Sequence, residues 1–570
     1  MPVWLFASLR GYQLAWLPRD LVAGLMLAAI AIPGQLATAR LAGMPSETGL
    51  YAFAAGSLAF AAFGANRFIS VGADSTIAPI FAGGLAAMSA AGSADYTGLD
   101  GMLAILVGAV LVLVGLLRAG WLANLLSVPV TTGFLAAISV HIVVGELPAL
   151  LGLPAEQGPL LARLIHIIGR IGEANPYPLV IGLAVLIVTL RAARISSRLP
   201  GPLIGLAIAG LAVPLFHLQD HGVLLLGPLS AHLPHLALPS LAADDRLGSL
   251  LPLVLIIAMV CIMQKSAVAR TFPSERKKRE NLSRYFAGVG AGSIVGGLLG
   301  AFPVNASPPS TAIVCESGGR SQIAAIAAVA LTAAVAFLAA GLLAYVPYAA
   351  LSGILIYLAI RIFRLDDMIN IYRHGRRETL LVVASAALVV VLPIDTGMLL
   401  AIILSFFHSL YIVARPPSAV LSRVPGGTIW WPASPEERRE HEPGVLVFSP
   451  AAPINFTNAA FICDSIMARV AEAREPVKLL VIEGSGIIEI DYTGAQILQQ
   501  TIADLRERGT EVALARLSDT RAQASARRSG LIEVLGDQKV FKSVEEAVRA
   551  IPHSSSRPLP GARGKKGQGD

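Results

Sequence analysis

Charge is scarce in this chain. Only 14% of its 570 residues are Asp, Glu, Lys or Arg, against roughly 25% in an ordinary soluble domain. With 55% hydrophobic residues and a mean hydropathy of +0.68, it is not disordered either, because disorder needs low hydrophobicity and high charge. Cysteine is nearly absent. Cys261, Cys315 and Cys463 stand far apart, which excludes a disulfide framework and a Cys-rich zinc site. No phosphate loop, nucleophile–base spacing or metal-ligand motif occurs, so no cofactor, metal or enzymatic reaction is expected. Arg10, Arg19 and Asp20 precede the first apolar run without a cleavage-site pattern, so no cleavable signal peptide is expected. The net charge of +7 is read as basic cytoplasmic loops rather than a nucleic-acid surface.

What is present in abundance is long apolar sequence. Residues 20–415 hold repeated apolar stretches of about 17–25 residues, the length that crosses a bilayer as a helix. The reading places spans near 21–41, 48–64, 99–117, 122–145, 177–193, 201–217, 249–271, 283–302, 322–345, 347–363, 378–393 and 395–414. Two shorter, broken segments, 73–88 and 307–318, bring the total to about fourteen. Lys and Arg sort by side. Arg67, Arg118, Arg191, Arg194, Arg198, the cluster from Arg270 to Arg284, Arg320 and the group Arg361, Arg364, Arg373, Arg376 and Arg377 fall in alternate loops. The facing loops 89–98, 301–306, 345–348 and 392–396 carry none. This pattern predicts both termini on the cytoplasmic side, in a bacterial inner membrane.

The two broken segments resemble each other. Val71-Gly-Ala-Asp74 and Val304-Asn-Ala-Ser307 are each followed by a Ser-Thr pair, and each is third in its half of the chain. The expectation is two seven-span repeats of inverted topology. Each segment has an extended approach, a Ser, Thr or Asp at an N-cap position, and then an apolar half-helix; Pro308 and Pro309 suit a first turn. Two half-helix N-termini meeting in the membrane would aim N–H groups and positive dipole ends at one point, a geometry that binds anions. Ala73, Asp74, Ser75, Ala306, Ser307 and Ser310 are therefore candidate substrate-binding residues. A single kinked segment would more simply be a space-filling re-entrant turn; the matched pair argues for a site.

From Arg415 the composition becomes that of a soluble protein. Residues 416–440, with Pro416-Pro417 and Pro425-Gly-Gly427, read as a breaker-rich linker. Residues 441–552 alternate short apolar strands (445–448, 479–482, 512–515) with helical stretches (459–473, 494–508), which is a small α/β domain. The Pro/Gly/Lys-rich tail 553–570 reads as disordered.

At this point the residues resemble a family. Asp20-Leu-Val-Ala-Gly-Leu25, Ile32-Pro33, Leu41-Ala-Gly-Met-Pro45 and Gly49-Leu-Tyr51 are similar to the first-span signature of SulP anion transporters, the bacterial sulfate-permease branch of the group containing prestin and the animal anion exchangers. Phe302-Pro303 through Ala312 resembles the family's tenth-span entry. Pro453-Ile-Asn-Phe-Thr-Asn-Ala459 and Asp491-Tyr-Thr-Gly494 resemble the STAS domain that follows in such proteins. The resemblance implies a polytopic α-helical fold over 1–415. It has a core domain (spans 1–4 and 8–11), a gate domain (spans 5–7 and 12–14), elevator-type alternating access and a homodimer. It further implies a cytosolic protein partner at the STAS domain, where Thr493 matches a phosphorylated hydroxyl of stand-alone relatives; the simpler role expected for Thr493 is a helix N-cap.

The sequence departs from the family at two positions. Gln264 stands where most members have a carboxylate that in some helps bind the coupling cation, and Ser310 where many have an Arg. Intramembrane charge appears instead at Asp74 and Lys265, each costing at least ~2.5–3.5 kcal/mol at bilayer depth. Their pairing, with proton coupling through Lys265 and no sodium dependence, is the expectation; snorkelling of Lys265 to an interface is the competing one. Gln35, one turn after an expected break at Ile32-Pro33-Gly34, matches the stretch where members place a polar side chain in the anion pocket. His141 and Glu146 are weaker proton-carrier candidates, read more simply as a hydrogen-bonded gate residue and a loop-edge carboxylate. Glu47 reads as solvated. Two other functions fit the same architecture. A nucleobase transporter would need carboxylates at positions 264 and 310, and a STAS-bearing regulator with vestigial transport would show a degraded pocket. The substrate itself, whether sulfate-like anion, bicarbonate or dicarboxylate, is not legible in the sequence.

Overall fold

The structure is a computed structural model that describes residues 5–9, 11–119, 127–154, 158–196, 199–227, 246–271, 282–432 and 442–552. The chain divides into two units, Met1–Phe406 and Phe407–Asp570.

The first unit is helical. Its elements are α1 (Leu17–Leu41), α2 (Ser46–Phe63), β1 (Val71–Gly72), α3 (Ala78–Ala86), α4 (Ala94–Leu116), α5 (Val128–Leu151), α6 (Leu160–Gly169), α7 (Pro176–Ile195) and α8 (Gly201–Leu215). The second half repeats the plan with α9 (Arg246–Thr271), α10 (Leu282–Leu298), β2 (Asn305–Ala306), α11 (Pro308–Glu316), α12 (Ile323–Leu338), α13 (Ala340–Leu343), α14 (Tyr348–Ile362), α15 (Leu365–His374), α16 (Arg376–Val391) and α17 (Ile394–Ala414). Among the described residues, six helices are long and apolar enough to cross a membrane, and shorter apolar helices stand between them. The short amphipathic α6 and α15 carry Arg163 and Arg373; the reading by apolar runs treated their residues as loop, because a half-polar helix has no continuous run to find. Val180, Ile187, Ile208, Leu211 and Val383 are exposed on α7, α8 and α16, as a lipid-facing surface requires.

Helix packing follows the repeat. α2 packs on α10, α10 on α4 and α2 on α12, α1 on α12 and α9 on α4, α14 on α7 and α5 on α16. Each couple exchanges first-half elements for their second-half equivalents. The α4–α10 crossing is backbone to backbone. A Cβ on Gly108 would lie 2.5 Å from the carbonyl oxygen of Gly290, and one on Gly290 would lie 2.6 Å from that of Gly108. Small residues that admit such an approach supply the packing that drives helix association in lipid.

The centre of the repeat is the antiparallel pair β1–β2, in which Gly72 faces Asn305 and Val71 faces Ala306. The two motifs are offset by 233 positions (305 − 72). Under that offset Gly72 opposes its own counterpart and Val71 opposes the counterpart of Ala73. A two-fold axis through the Gly72–Asn305 pair requires this register, as expected for inverted repeats. The crossing is held from both sides. Ser57 Oγ of α2 donates to the Val71 carbonyl at 2.8 Å, and Ser293 Oγ of α10 accepts the Val304 N–H at 3.1 Å.

The second unit, apart from the end of α17, is a six-stranded mixed sheet in the order β4-β3-β5-β6-β7-β8, with β3 (Ser418–Arg423), β4 (Trp430–Pro432), β5 (Val445–Pro450), β6 (Leu479–Glu483), β7 (Glu511–Ala515) and β8 (Val540–Phe541). The β5–β6–β7–β8 pairs are parallel. Helices α18 (Ala459–Ala471), α19 (Tyr492–Glu507), α20 (Thr520–Arg528) and α21 (Leu531–Leu535) share one apolar core with the sheet, and α22 (Val544–Ala550) shares the other. The expected linker 416–440 is thus partly sheet. β3 pairs antiparallel with β5, and β4 with β3. Arg423 bonds Glu442 at 2.9 Å, and Trp430 Nε1 donates to Glu545 at 3.1 Å. Of the residues that read as a linker, Pro416-Pro417 precede the β3–β4 hairpin and Pro425-Gly-Gly427 lie in its turn, an arrangement with the same local composition. Residues 433–441 and the tail 553–570 lie outside the described residues.

Candidate functional site

The two half-helices start where the β1–β2 crossing ends. After Gly72 the chain reaches Asp74, whose carbonyl accepts the N–H of Ala78 at 3.1 Å and whose Oδ1 accepts the N–H of Thr76 at 3.0 Å. These bonds close the turn 74–77 that leads into α3, whose first helical residue is Ala78. On the other side Ser307 is the N-cap of α11, with its Oγ accepting the Ser310 N–H, and Pro308 and Pro309 fill the first turn. The expected half-helix entries are formed in this way.

Between these mouths lies a cavity of about 330 Å³, at the lower end of small-molecule sites, roughly 300–1,000 Å³. It is lined by Gln35 and Thr38 of α1, by Ala73, Asp74, Ser75 and Thr76 before α3, by Gln264 of α9, and by Ser307, Pro308 and Ser310 of α11. Seven of the nine candidate substrate residues line it. Of the other two, Ala306 is fully buried in β2 opposite Val71 and does not line the cavity. A substitution there tests the crossing, not a contact with substrate. Lys265 follows Gln264 on α9, and its side chain lies outside the described residues.

The hydrogen bonds sort the lining residues into supports and free donors. The Gln35 amide closes on the Ala73 peptide unit. Its Oε1 accepts the Ala73 N–H at 2.7 Å and its Nε2 donates to the Ala73 carbonyl at 3.2 Å. The Ala73 N–H, expected to face an anion, is thereby occupied. The expected break at Pro33 is also absent: α1 runs through Pro33 unbroken, and Gln35 projects from a continuous helix. Asp74 Oδ2 accepts from Thr76 Oγ1 and from Asn305 Nδ2, each at 2.8 Å. Asn305 also donates to Gln264 Oε1 at 2.7 Å, and Gln264 Nε2 donates to Thr76 Oγ1. Asp74, Thr76, Gln264 and Asn305 thus form one buried network joining both repeats, in which neutral donors hold the carboxylate. Asn305 Oδ1 is left without a partner among the described residues. Ser75 differs from all of these. It is buried, it lines the cavity, and neither its N–H nor its hydroxyl has a partner among the described residues. It lies in the turn between Asp74 and the start of α3.

Several positions at the candidate site are not marked by the sequence. Thr38, Thr76 and Asn305 carry no signal that separates them from helix-capping or packing residues. Arg361 and Arg364, at the end of α14, line the same cavity; in sequence they belong to the basic cytoplasmic group.

The gate candidates fall as follows. His141 Nε2 meets the Val389 carbonyl at 2.8 Å, which joins α5 to α16. Glu146 is no loop-edge carboxylate. It lies inside α5, 4% exposed, and accepts from Ser352 Oγ at 2.6 Å. Arg40 of α1 stands 3.5 Å from it, donates to the Tyr348 carbonyl at 3.0 Å and lies over the Tyr348 ring. This cluster ties α1 to α5 and α14. Helix α5 continues to Leu151 and carries Glu146 inward, beyond the expected span end. Glu47 is half-buried in the first turn of α2. In the second unit the cap of α19 is Asp491, whose Oδ1 accepts the Gly494 N–H at 2.6 Å. Thr493 is exposed within the first turn and is not the N-cap, because the extended backbone a cap needs is at Asp491.

Known proteins resemble this chain over most of its length. The Sulfate permease family matches residues 17–385, and the STAS domain matches residues 438–547. The chain is 31% identical over 542 residues to the probable sulfate transporter MT1781 of Mycobacterium tuberculosis, covering 95% of this chain and 96% of that protein. It is 24% identical over 557 residues to the probable sulfate transporter 4.2 of Arabidopsis thaliana, covering 95% and 82%. Among solved structures, the murine Solute Carrier 26 family member A9 anion transporter in its inward-facing state superposes with a TM-score of 0.85 at 18% identity, over 95% of this chain and 92% of that one. The transmembrane domain of the cyanobacterial bicarbonate transporter BicA superposes with a TM-score of 0.60 at 20% identity, over 69% and 97%. These structural likenesses establish the fold. Together with the family matches they support one conclusion: the chain belongs to the sulfate permease family, a family of multi-pass membrane transporters and not of enzymes, and carries a STAS domain after its membrane region.

Proposed function

We propose that the protein is a secondary active transporter of a small anion, with sulfate the first substrate to test, and that the anion sits in the cavity between the mouths of α3 and α11. The observation that carries this reading is the cavity itself. The mouths of two half-helices and Ser75 border one cavity of about 330 Å³ with polar groups set in a largely apolar lining, and helix N-termini favour anions without a buried cationic partner. Sulfate comes first because the relatives are named as sulfate transporters; bicarbonate and dicarboxylates carry the same chemistry. Alternating access by an elevator motion of α1–α4 and α9–α12 against α5, α7, α8, α14, α16 and α17 fits the repeat-related packing. In this reading about fourteen spans cross the plasma membrane, both ends are cytoplasmic, and the protein is a homodimer with a cytosolic partner at the STAS domain. Asp74 and Lys265 remain the coupling pair of this reading, with a proton as the coupling ion.

The test is flux in proteoliposomes with a panel of anions at varied pH and sodium. Saturable sulfate uptake driven by an inward proton gradient, without sodium, is expected. Absence of flux for every anion overturns the transport assignment, and strict sodium dependence overturns the proton coupling.

A further inference from the structure

The cavity has a cationic wall that the half-helices do not provide. Among its described lining residues the charged ones are Asp74, Arg361 and Arg364. Asp74 is held by neutral donors, none of which supplies a positive charge. Helix dipoles carry no net charge, so among the described lining residues net positive charge comes from the two arginines. Arg361 lies in the last turn of α14, with its guanidinium carbon 5.8 Å from the Tyr357 ring centroid and no carboxylate partner among the described residues. Arg364 stands 3.7 Å from Asp367, both partly exposed, a pair that holds its cation only weakly. Their simplest alternative role is orientation of the loop by positive charge, which Arg373, Arg376 and Arg377 share. Those three do not line the cavity, whereas Arg361 and Arg364 do.

We propose that Arg361 and Arg364 form the specificity-determining wall of the anion site, favouring dianions over monoanions from the cytoplasmic side. This rests on the reading of the cavity as an anion-transport site. The physical basis is that Coulomb energy scales with ligand charge. Removing a fixed cation multiplies a monoanion's dissociation constant by some factor, and a dianion's by about the square of that factor. Arg361 stands on α14 and Arg364 between α14 and α15, while the rest of the polar lining stands on α1, on α9 and at the mouths of α3 and α11. A motion that carries those elements past α14 takes the anion away from the arginines. The charge therefore acts on the cytoplasm-facing state and not on the opposite one.

The experiment uses the full chain in oriented proteoliposomes, with KM measured on each face for sulfate and for nitrate. The variants are Arg361→Gln with Arg364→Gln, the same pair changed to Lys, and Arg373→Gln as a control for charge outside the cavity. For the Gln pair, a rise of about threefold for nitrate and about ninefold for sulfate is expected on the cytoplasmic face, with both values unchanged on the other face. The Lys pair should stay near the wild type, and so should Arg373→Gln. Equal factors for the two anions, equal changes on both faces, or no change would overturn the proposal. Thermal stabilisation of the detergent-solubilised protein by sulfate, compared with nitrate, is read in parallel. If the wild type moves neither anion, the transport reading fails, and the thermal shift still decides the wall. A sulfate shift lost in the Gln pair and kept in the Lys pair supports it; a shift indifferent to both overturns it.

Discussion

Ser75 shows how one residue can be separated from its neighbours by accounting for each polar atom. Gln35 is spent on the Ala73 peptide, Thr76 on Asp74, and Ser307 on the first turn of α11. Ser75 keeps an N–H without a partner among the described residues, in the turn before its half-helix. Ser75→Ala retains that N–H, and Ser75→Pro removes it while occupying the second position of the Asp74–Ile77 turn, where proline is favoured. Ser75→Pro should therefore fold with a melting temperature near that of Ser75→Ala but lose most sulfate flux, whereas Ser75→Ala raises KM by only a few fold. Melting curves and flux on the same preparations check this, and comparable flux in the two variants would rule out a backbone donor at Ser75. Asn305 is the other residue with an open atom, its Oδ1. It lies behind the cavity in the network with Asp74 and Gln264, so it supports the site rather than lining it.

At the scale of elements, the β1–β2 crossing and the Arg40 cluster act on different helices. The crossing binds the two repeats to each other, and its register fixes both half-helix mouths. The Arg40–Glu146–Ser352 cluster joins α1 to α5 and α14, elements that the elevator reading assigns to opposite halves. Removing one partner of a buried ion pair costs about 3–5 kcal/mol, less here because Arg40 is partly exposed. Glu146→Gln should loosen this tie. Faster hydrogen–deuterium exchange is expected in 346–352, with exchange in 445–550 unaffected. Unchanged exchange at 346–352 would show that the cluster does not restrain these helices.

On the scale of the whole molecule, the boundary of the second unit has consequences for any truncation. β3 covers the edge of β5, and Trp430 and Arg423 occupy Glu545. A soluble fragment 416–552 should be monomeric and melt cooperatively. A fragment 441–552 lacks β3 and β4, exposes the β5 edge and leaves Glu545 paired with Arg549 alone among the described residues. An uncovered, paired-ready edge promotes association. Gel filtration and thermal melts of the two fragments should show the shorter one less stable and self-associating; equal behaviour would return 416–440 to the status of a linker.

By itself the sequence determined the helical membrane region, the repeat, the change of regime near Arg415, and the strands and helices of the C-terminal α/β domain. These are set by hydrophobic run length and periodicity, which are local properties of the chain. It also pointed to the two motifs at 71–74 and 304–307, because Pro, Gly and capping residues mark a broken helix wherever it lies. Tertiary structure alone decided which atoms within those motifs stay free. The Ala73 N–H is lost to a side chain 38 positions away, and Asp74 meets Asn305 across 231 positions; no local pattern encodes such partners. Glu146, Arg361 and Arg364 changed their meaning for the same reason. Whether a charge serves a loop, a helix contact or a cavity depends on what the fold places opposite it, and that is fixed by packing between distant segments.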